Sequence, residues 1–147
     1  MIARLTLESL REAASRIEAH VVRTPVLTAA ASPGCDLLLK VESLQPTGSF
    51  KVRGAFNKML GLPSDCAGVV AHSSGNHAQA VARAARVLGV HAVVVMPQDA
   101  SPVKRAAALA DGAELILVGP DSEERAQRAR DLARERELVA VPPFDDP

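Results

Sequence analysis

Residues 69–97, VVAHSSGNHAQAVARAARVLGVHAVVVMP, decide the fold of this chain. Two short apolar runs, residues 69–72 and 92–96, flank an alanine-rich stretch whose apolar residues recur at helical spacing. Gly89 stands where that helix should end, which is a common position for glycine. Because a strand, a helix and a second strand in this order form a crossover unit, the stretch predicts a βαβ unit with parallel strands.

The same alternation continues towards the C-terminus. Two further helices and two further strands follow from the spacing: residues 102–110, 114–118, 121–137 and 138–141. Ser101 should cap the helix that begins at Pro102, and Asp121 with Glu124 resembles a capping box for the next helix. Short apolar strands that alternate with helices predict an α/β fold, a three-layer sandwich around a parallel sheet buried on both faces.

Upstream of residue 69 the pattern is less regular. Residues 4–19 repeat at helical spacing, and one face of that helix should carry Leu5, Leu10, Ala13, Ala14 and Ile17. Thr24-Pro25 should end this element, because proline lacks a donor and pushes its predecessor into extended geometry. A strand is predicted over residues 36–42 and a helix over residues 49–60.

The composition restricts the possible partners. The chain of 147 residues has 17 basic and 17 acidic side chains, so it carries no net charge that would attract nucleic acid or an anionic membrane. It has no tryptophan or tyrosine to stack on bases, and its longest apolar runs are too short to span a bilayer. Cys35 and Cys66 stand alone, and no secretory leader is recognisable at the N-terminus. We therefore expect a cytoplasmic protein with no nucleic-acid or membrane partner.

The segment Ser73-Ser74-Gly75-Asn76-His77 lies between the first strand of the unit and its helix. Open α/β sheets bind ligands at this place, beyond the carboxyl end of a strand. The first N–H groups of a helix have no partner within it and its dipole favours an anion, so a carboxylate or a phosphate is the expected guest. From the spacing alone an alternative is equally good, namely that Ser74 or Asn76 only caps the helix.

Lys51 is one of four lysines and stands next to Phe50 at the predicted start of a helix. A helix N-terminus disfavours an ammonium and so favours the neutral amine that Schiff-base chemistry requires. Taken alone, the position also suits a solvated surface lysine. His72 and His77 straddle a turn, and no cluster of cysteines or carboxylates completes a metal site, so we predict no bound metal.

Two motifs resemble one known family. Residues 42–55, ESLQPTGSFKVRGA, resemble the segment that carries the cofactor lysine in serine/threonine dehydratases, which are tryptophan-synthase-like (fold-type II) pyridoxal-phosphate enzymes. Residues 73–79, SSGNHAQ, resemble their substrate and cofactor loop. Three further segments follow in family order: residues 24–26, 95–97 and 143–147. The resemblance covers essentially the whole chain, but only about the front half of the family's usual length.

The resemblance implies a pyridoxal 5'-phosphate cofactor and a role for each motif residue. Lys51 would bind the cofactor covalently and later remove the substrate's α-proton, Phe50 would pack beside the cofactor ring, and Asn76 would hydrogen-bond its phenolic oxygen. The substrate carboxylate would be held by the loop residues Ser73, Ser74, Gly75 and His77. Ser74 also matches the position of the second acid/base in the related serine racemases.

The implied activity is that of a threonine or serine dehydratase, an ammonia-lyase that converts L-threonine or L-serine into a 2-oxo acid and ammonia by β-elimination. A homo-oligomer is implied for the complete protein. Lys51-Val52-Arg53 and Gly75-Asn76-His77 favour a dehydratase or a serine racemase over a cysteine-synthase-like enzyme, in which Lys-Asp-Arg and Ser-Gly-Asn-Thr would stand at these places.

The glycine run that holds the cofactor phosphate in the family is not found here, because the nine glycines are all separated. By resemblance, residues 1–53 would be an incomplete piece of the large cofactor domain, residues 54–141 the small α/β domain, and residues 142–147 the start of a connection. We therefore expect a truncated N-terminal fragment with poor activity, in which a parallel strand over Leu37–Val41 lacks neighbours and leaves apolar surface open. The alternative from another class is a non-catalytic module that binds a small anion or a partner subunit.

Overall fold

A four-stranded parallel sheet lies at the centre of the protein in a computed structural model that describes residues 5–32 and 35–144. The elements in chain order are α1 (Leu7–Ile17), β1 (Val26–Ser32), β2 (Cys35–Lys40), α2 (Lys51–Met59), β3 (Val69–His72), α3 (Asn76–Leu88), β4 (Ala92–Pro97), α4 (Pro102–Ala110), β5 (Glu114–Val118), α5 (Ser122–Glu135) and β6 (Val139–Ala140). The sheet has the strand order β5-β4-β3-β6. Residues 1–4, 33–34 and 145–147 lie outside the described residues, and with them the first residue of the predicted helix 4–19 and the last three residues of the segment 143–147.

The two faces of this sheet bury separate apolar layers. Val70, Val93 and Val95 point to one face and pack with Leu132 of α5. Alternate strand residues such as Val94 point the other way, into a larger cluster formed with α2, α3 and α4. Because side chains alternate along a strand, a sheet covered on both faces needs continuous apolar strands. The three-layer α/β fold predicted from residues 69–141 is therefore confirmed.

Most of the predicted boundaries in this region are confirmed as well. The strands over residues 69–72 and 114–118 and the helices over 76–88 and 102–110 match β3, β5, α3 and α4. The last helix ends two residues earlier than predicted, and the last strand is shorter, with only Val139 and Ala140 in the ladder.

The predicted caps are only partly correct. Asp121 accepts hydrogen bonds from the N–H groups of Glu123 and Glu124, both at 2.9 Å. The carboxylate of Glu124 does not return to Asp121 but reaches the N–H of Gly119 at 3.4 Å, so the capping box is half formed. Ser101 occupies the N-cap position of α4, yet its hydroxyl makes no capping bond. The residue types predict where these helices start. The geometry of the preceding turn decides which side chains can reach the free backbone N–H groups.

An antiparallel hairpin precedes the sandwich. The strand predicted over residues 36–42 is present as β2, but the expectation of a parallel strand is wrong, since β2 pairs antiparallel with β1 and Leu27 lies opposite Leu39. Strand β1 is not foreseen because three successive alanines interrupt any alternation of apolar and polar residues. Leu37, Leu38 and Leu39 are 43%, 66% and 44% exposed, so the expected open apolar surface is confirmed.

Helix α1 has the predicted spacing but buries little of its apolar face. Leu5 and Leu10 are exposed, and only Ile17, at the end of the helix, is buried. Arg16 donates to the side-chain oxygen of Asn57 in α2 at 2.7 Å. The helix is thus held to the sandwich at its C-terminal end, and its apolar periodicity does not translate into burial.

A substitution at Leu132 tests the layer that α5 forms. The side chain is fully buried, and truncation to alanine leaves a cavity, so Leu132→Ala should lower the free energy of unfolding by about 2–5 kcal/mol. Leu109→Ala is the matched control, because Leu109 on α4 is 56% exposed and its truncation should change that free energy by less than about 0.5 kcal/mol. Urea unfolding followed by circular dichroism measures both variants. Equal losses would contradict a buried layer beneath α5.

Candidate active site

Glu42 is the centre of a polar network that holds the segment leading into α2. Its Oε1 accepts hydrogen bonds from Thr24 Oγ1 at 2.6 Å and from Arg53 Nη2 at 2.8 Å, and its Oε2 accepts from Arg53 Nε at 2.8 Å. Gln45 Nε2 donates to the same carboxylate at 3.2 Å and to the backbone carbonyl of Val22 at 2.8 Å. The network therefore joins the segment before β1, the turn after β2 and the first turn of α2.

The same contacts control the charge of Glu42. The hydrogen bond from Arg53 lowers the pKa of the Glu42 carboxyl to about 2, although burial acts in the opposite direction. Hydrogen bonds from Thr24 and Gln45 lower this pKa further, and both side chains are buried. The carboxylate in turn raises the pKa of the Arg53 guanidinium. The pair is therefore ionised at neutral pH.

Lys51 is the first residue of α2 and is held by three groups. Its Nζ donates to the backbone carbonyl of Pro143 at 2.8 Å. The same atom lies 5.4 Å from the ring centre of Phe50 and 4.9 Å from that of Phe144, which are distances at which a cation is attracted to an aromatic face. The side chain is half-buried and donates to a backbone carbonyl, which favours a positioned lysine over a freely solvated one.

A cleft of about 760 Å³ opens beside Lys51. It is lined by residues of α2 from Lys51 to Lys58, by Val139 and by residues 141–144. A Cβ on Gly54 would meet no atom within 4 Å, so the cleft is open directly beside the lysine. His77 lines the same cleft, and its Nε2 lies 2.9 Å from the carbonyl of Val141. Because a carbonyl oxygen only accepts, this ring nitrogen carries a proton.

The predicted substrate loop begins at the carboxyl end of β3. Gly75 occupies the N-cap position of α3, and no side chain makes a capping bond there. The alternative that Ser74 or Asn76 merely caps the helix is therefore wrong. Ser73 Oγ accepts a hydrogen bond from the N–H of Gly75 at 3.1 Å. Ser74 and Asn76 are exposed, so their hydroxyl and amide groups are accessible to a ligand.

The structure brings part of the predicted site into one cavity. Lys51, Phe50 and His77 line the cleft, whereas the other loop residues precede His77 and lie outside its lining: Ser73, Ser74, Gly75 and Asn76. The ring of His77 is directed to Val141 rather than to the loop. A contribution of His77 to a carboxylate cradle would therefore come from its backbone.

Two residues that the motifs did not single out also belong to this region. Phe144 faces the lysine, and its position in the family-ordered segment 143–147 was the available signal. Lys104 Nζ lies 2.8 Å from the point that a Cβ on Gly75 would occupy. No signal in the sequence indicated this contact, because it is made between two separate helices.

Comparison with known proteins agrees with this arrangement. The model of a family described as pyridoxal-phosphate dependent enzyme matches residues 17–147. The chain belongs to this family. The resemblance inferred from the two motifs is thereby confirmed, and pyridoxal phosphate is the cofactor that it implies.

Several members of this pyridoxal-phosphate family are similar over part of their length. An L-threo-3-hydroxyaspartate ammonia-lyase of Saccharomyces cerevisiae is 41% identical over 97% of this chain and 45% of its own. A serine racemase of Dictyostelium discoideum is 45% identical over 76% of this chain and 36% of its own. Among solved structures, a T.th. threonine deaminase superimposes with a TM-score of 0.86 at 49% identity, over 97% of this chain and 46% of that one. The chain spans less than half the length of these relatives.

The described residues fit one end of the family's cofactor. Lys51 supplies an amine, and Phe50 and Phe144 supply flat apolar faces near it. The buried hydroxyls of Thr47 and Ser49 have no hydrogen-bond partner within residues 5–32 and 35–144, so donors remain beside the lysine segment for a polar group. The glycine run that would hold a phosphate does not occur in the sequence.

Other types of site were also sought in the described part of the chain. No group of three histidine, cysteine or carboxylate side chains there is placed to hold a metal ion. None of the described helices is long and apolar enough to cross a membrane. Cys66 is a free thiol whose Sγ donates to the carbonyl of Gly68 at 3.2 Å.

Removing the charge of Glu42 tests the network that holds the lysine segment. Glu42→Gln should lower the free energy of unfolding at neutral pH by about 1.5–3 kcal/mol, because Arg53 loses its charged acceptor. The pKa of Glu42 is depressed from 4.5 to about 2 in the folded protein, so its stabilisation is complete above the ordinary value and is lost as the pH falls through the depressed one. The advantage of the wild type over the variant should therefore shrink as the pH falls from about 4.5 to about 2.

Denaturant unfolding at pH 7 and at steps through the acidic range measures this difference. Glu135→Gln is the matched control, since Glu135 pairs with Arg128 at 3.0 Å on the surface. Its loss should change the free energy by less than about 1 kcal/mol. A difference between Glu42→Gln and the wild type that stays constant with pH would contradict the ionised pair.

Proposed function

We propose that this chain supplies the catalytic lysine and the substrate loop of a pyridoxal-phosphate-dependent ammonia-lyase that acts on L-threonine or L-serine. The observation that supports this proposal best is a single cleft lined by both Lys51 and His77. Lys51 belongs to the cofactor motif, and His77 belongs to the substrate loop. An amino acid held at that loop therefore stands next to the cleft that contains the lysine.

Each motif residue then has a task. When bound, pyridoxal phosphate withdraws electrons from the substrate's α-carbon and makes its proton acidic. Lys51 Nζ leaves the carbonyl of Pro143 and removes that proton as a base. Ser74, exposed at the start of α3, is the second proton-transfer group. Asn76 donates to the phenolic oxygen of the cofactor, and Phe50 packs beside its ring.

The start of α3 suits the substrate carboxylate. Its first N–H groups point out of the helix and no side chain caps them, so they are available to the two carboxylate oxygens. The residues that we assign to this cradle are Ser73, Ser74, Gly75 and His77, the last through its backbone. With the substrate held there, the β-hydroxyl leaves as water. Uptake of water then releases ammonia and leaves a 2-oxo acid.

A racemase is the second candidate within the family. The proteins similar to this chain include ammonia-lyases, a threonine deaminase and serine racemases. We favour the lyase because the T.th. threonine deaminase is 49% identical to this chain, against 39% for the Dictyostelium discoideum serine racemase structure. In a racemase, Ser74 would return a proton to the α-carbon in place of elimination.

The domain division is part of the same proposal. Residues 1–53 are assigned to a large cofactor domain, residues 54–141 to a small domain, and residues 142–147 to a connection. The closed sandwich from β3 to Val141 and the separate hairpin with exposed leucines support a division into two regions, although residue 53 lies within α2, whose Val52 packs into the sandwich core. A homo-oligomer in the cytoplasm is the proposed setting, and the free thiol of Cys66 suits a reducing compartment.

Covalent labelling tests the assignment of Lys51. Borohydride reduction in the presence of pyridoxal phosphate should fix the pyridoxyl group on Lys51, because this amine lies near two aromatic rings and lines an open cleft. Peptide mapping by mass spectrometry identifies the labelled lysine. Lys51→Ala should remove this label, with Lys58→Ala as the matched control on the same helix. A label found chiefly on Lys40, Lys58 or Lys104 would refute the assignment.

Turnover and absorbance separate the other roles in the cofactor-loaded protein. Ser74→Ala should lower the release of 2-oxo acid from L-threonine or L-serine by about 10²–10⁴-fold, the usual contribution of a proton-transfer group. Asn76→Ala should instead shift the visible absorbance of the bound cofactor, since it removes a donor to the ring. An unchanged spectrum would exclude Asn76 from the site.

Product analysis by chiral chromatography decides between the candidates. Formation of D-serine without 2-oxo acid would identify a racemase and overturn the lyase. Binding of an amino acid without either product would favour the non-catalytic module.

A further inference from the structure

The end of the Lys104 side chain lies over the substrate loop. Lys104 stands in the first turn of α4, and its Nζ is 2.8 Å from the point that a Cβ on Gly75 would occupy. Its Cδ and Cε are 3.5 Å and 3.6 Å from the same point. The absence of a side chain on Gly75 therefore provides the space in which this ammonium lies.

This ammonium has no protein partner in the part of the chain that the structure describes. By contrast, Lys40 donates to the backbone carbonyl of Thr24 at 2.6 Å. Lys51 donates to the backbone carbonyl of Pro143 at 2.8 Å. Lys104 makes no hydrogen bond or ion pair with any described residue, although it is half-buried. The ammonium is therefore available to an acceptor that binds at this loop.

The electrostatic surroundings of Lys104 favour an anion as that acceptor. Two helices, α3 and α4, begin beside this ammonium, and their N-termini carry partial positive charge. Neither helix has an acidic residue in its first turn, whereas α1 and α5 carry Glu8 and Glu123 there. Three positive groups thus converge on Gly75 without compensation from a described side chain.

We propose that Lys104 is the charge partner of the substrate's α-carboxylate. One carboxylate oxygen accepts from the Lys104 ammonium and the other from the N–H groups at the start of α3. A Cβ at position 75 would push the ammonium away from this place. The inference rests on the proposed function, since it assumes that the amino acid binds at this loop. Lys104 fixes the substrate's orientation and is a binding residue rather than an acid or a base.

Amide chemical shifts of the isotopically labelled chain test this assignment. L-serine should shift the N–H resonances of Gly75 and Asn76, and ethanolamine, which is serine without its carboxylate, should not. Lys104→Met should weaken the L-serine response about tenfold to a hundredfold, as expected for the loss of a charge-assisted hydrogen bond. Gly75→Ala should weaken it as well, and Lys104→Arg should retain part of it. Arg105→Met, which removes a charge from the same helix, is the matched control and should leave the response to L-serine unchanged.

The outcomes distinguish this inference from the proposed function. If the loop amides respond to L-serine equally in the wild type and in Lys104→Met, the assignment of Lys104 is wrong and the substrate loop stands. If they do not respond in the wild type, the substrate loop itself is refuted, and the inference with it. Tighter binding of inorganic phosphate than of L-serine at Gly75 would identify a phosphate site and overturn the carboxylate assignment. Unchanged resonances of β4 in each variant show that the fold is intact.

Discussion

The parallel pairing of β3 with β6 determines where the candidate site lies. Val69 stands opposite Val139, so the carboxyl ends of both strands reach the same edge of the sheet. The substrate loop leaves β3 at this edge, and the segment that ends at Phe144 leaves β6 beside it. The bond from His77 to Val141 connects these two segments, and the bond from Lys51 to Pro143 connects α2 to the second of them. Both contacts depend on this one pairing of strands.

A second constraint positions the lysine from the opposite direction. The ion pair of Glu42 and Arg53 fixes the first turn of α2, which carries Lys51. Thr24 and Gln45 donate the remaining hydrogen bonds to the carboxylate, so each oxygen of this partly buried charge accepts two hydrogen bonds. Lys51 is thus held by a polar network on its own helix and by a carbonyl from the sheet edge. Such preorganisation suits the role of base that we propose for Lys51.

The sandwich from residue 69 onward was predictable because the hydrophobic pattern of each helix and strand agrees with its place in the fold. Strand β4 and the first three residues of β3 are apolar, α3 has a clear helical period, and Gly89 ends that helix, so each element could be located from its own residues. The front part was harder to read. The apolar spacing of α1 predicts a helix but not its burial, since burial depends on whether another element covers Leu10. Strand β1 shows no period and is recognisable only from its partner β2.

The sequence by itself determined the family, its cofactor and the residues of the two motifs, because these are carried by residue types at short, fixed spacing. Only the tertiary structure decided which residues meet. The order of the strands in the sheet could not be predicted from their spacing along the sequence, because that spacing also allows β6 to pair with β5. In the structure β6 pairs with β3 instead. The contacts of Lys51 with Phe144, of His77 with Val141 and of Lys104 with Gly75 join positions far apart in the chain. Such contacts are set by strand order and helix packing, which are properties of the whole fold.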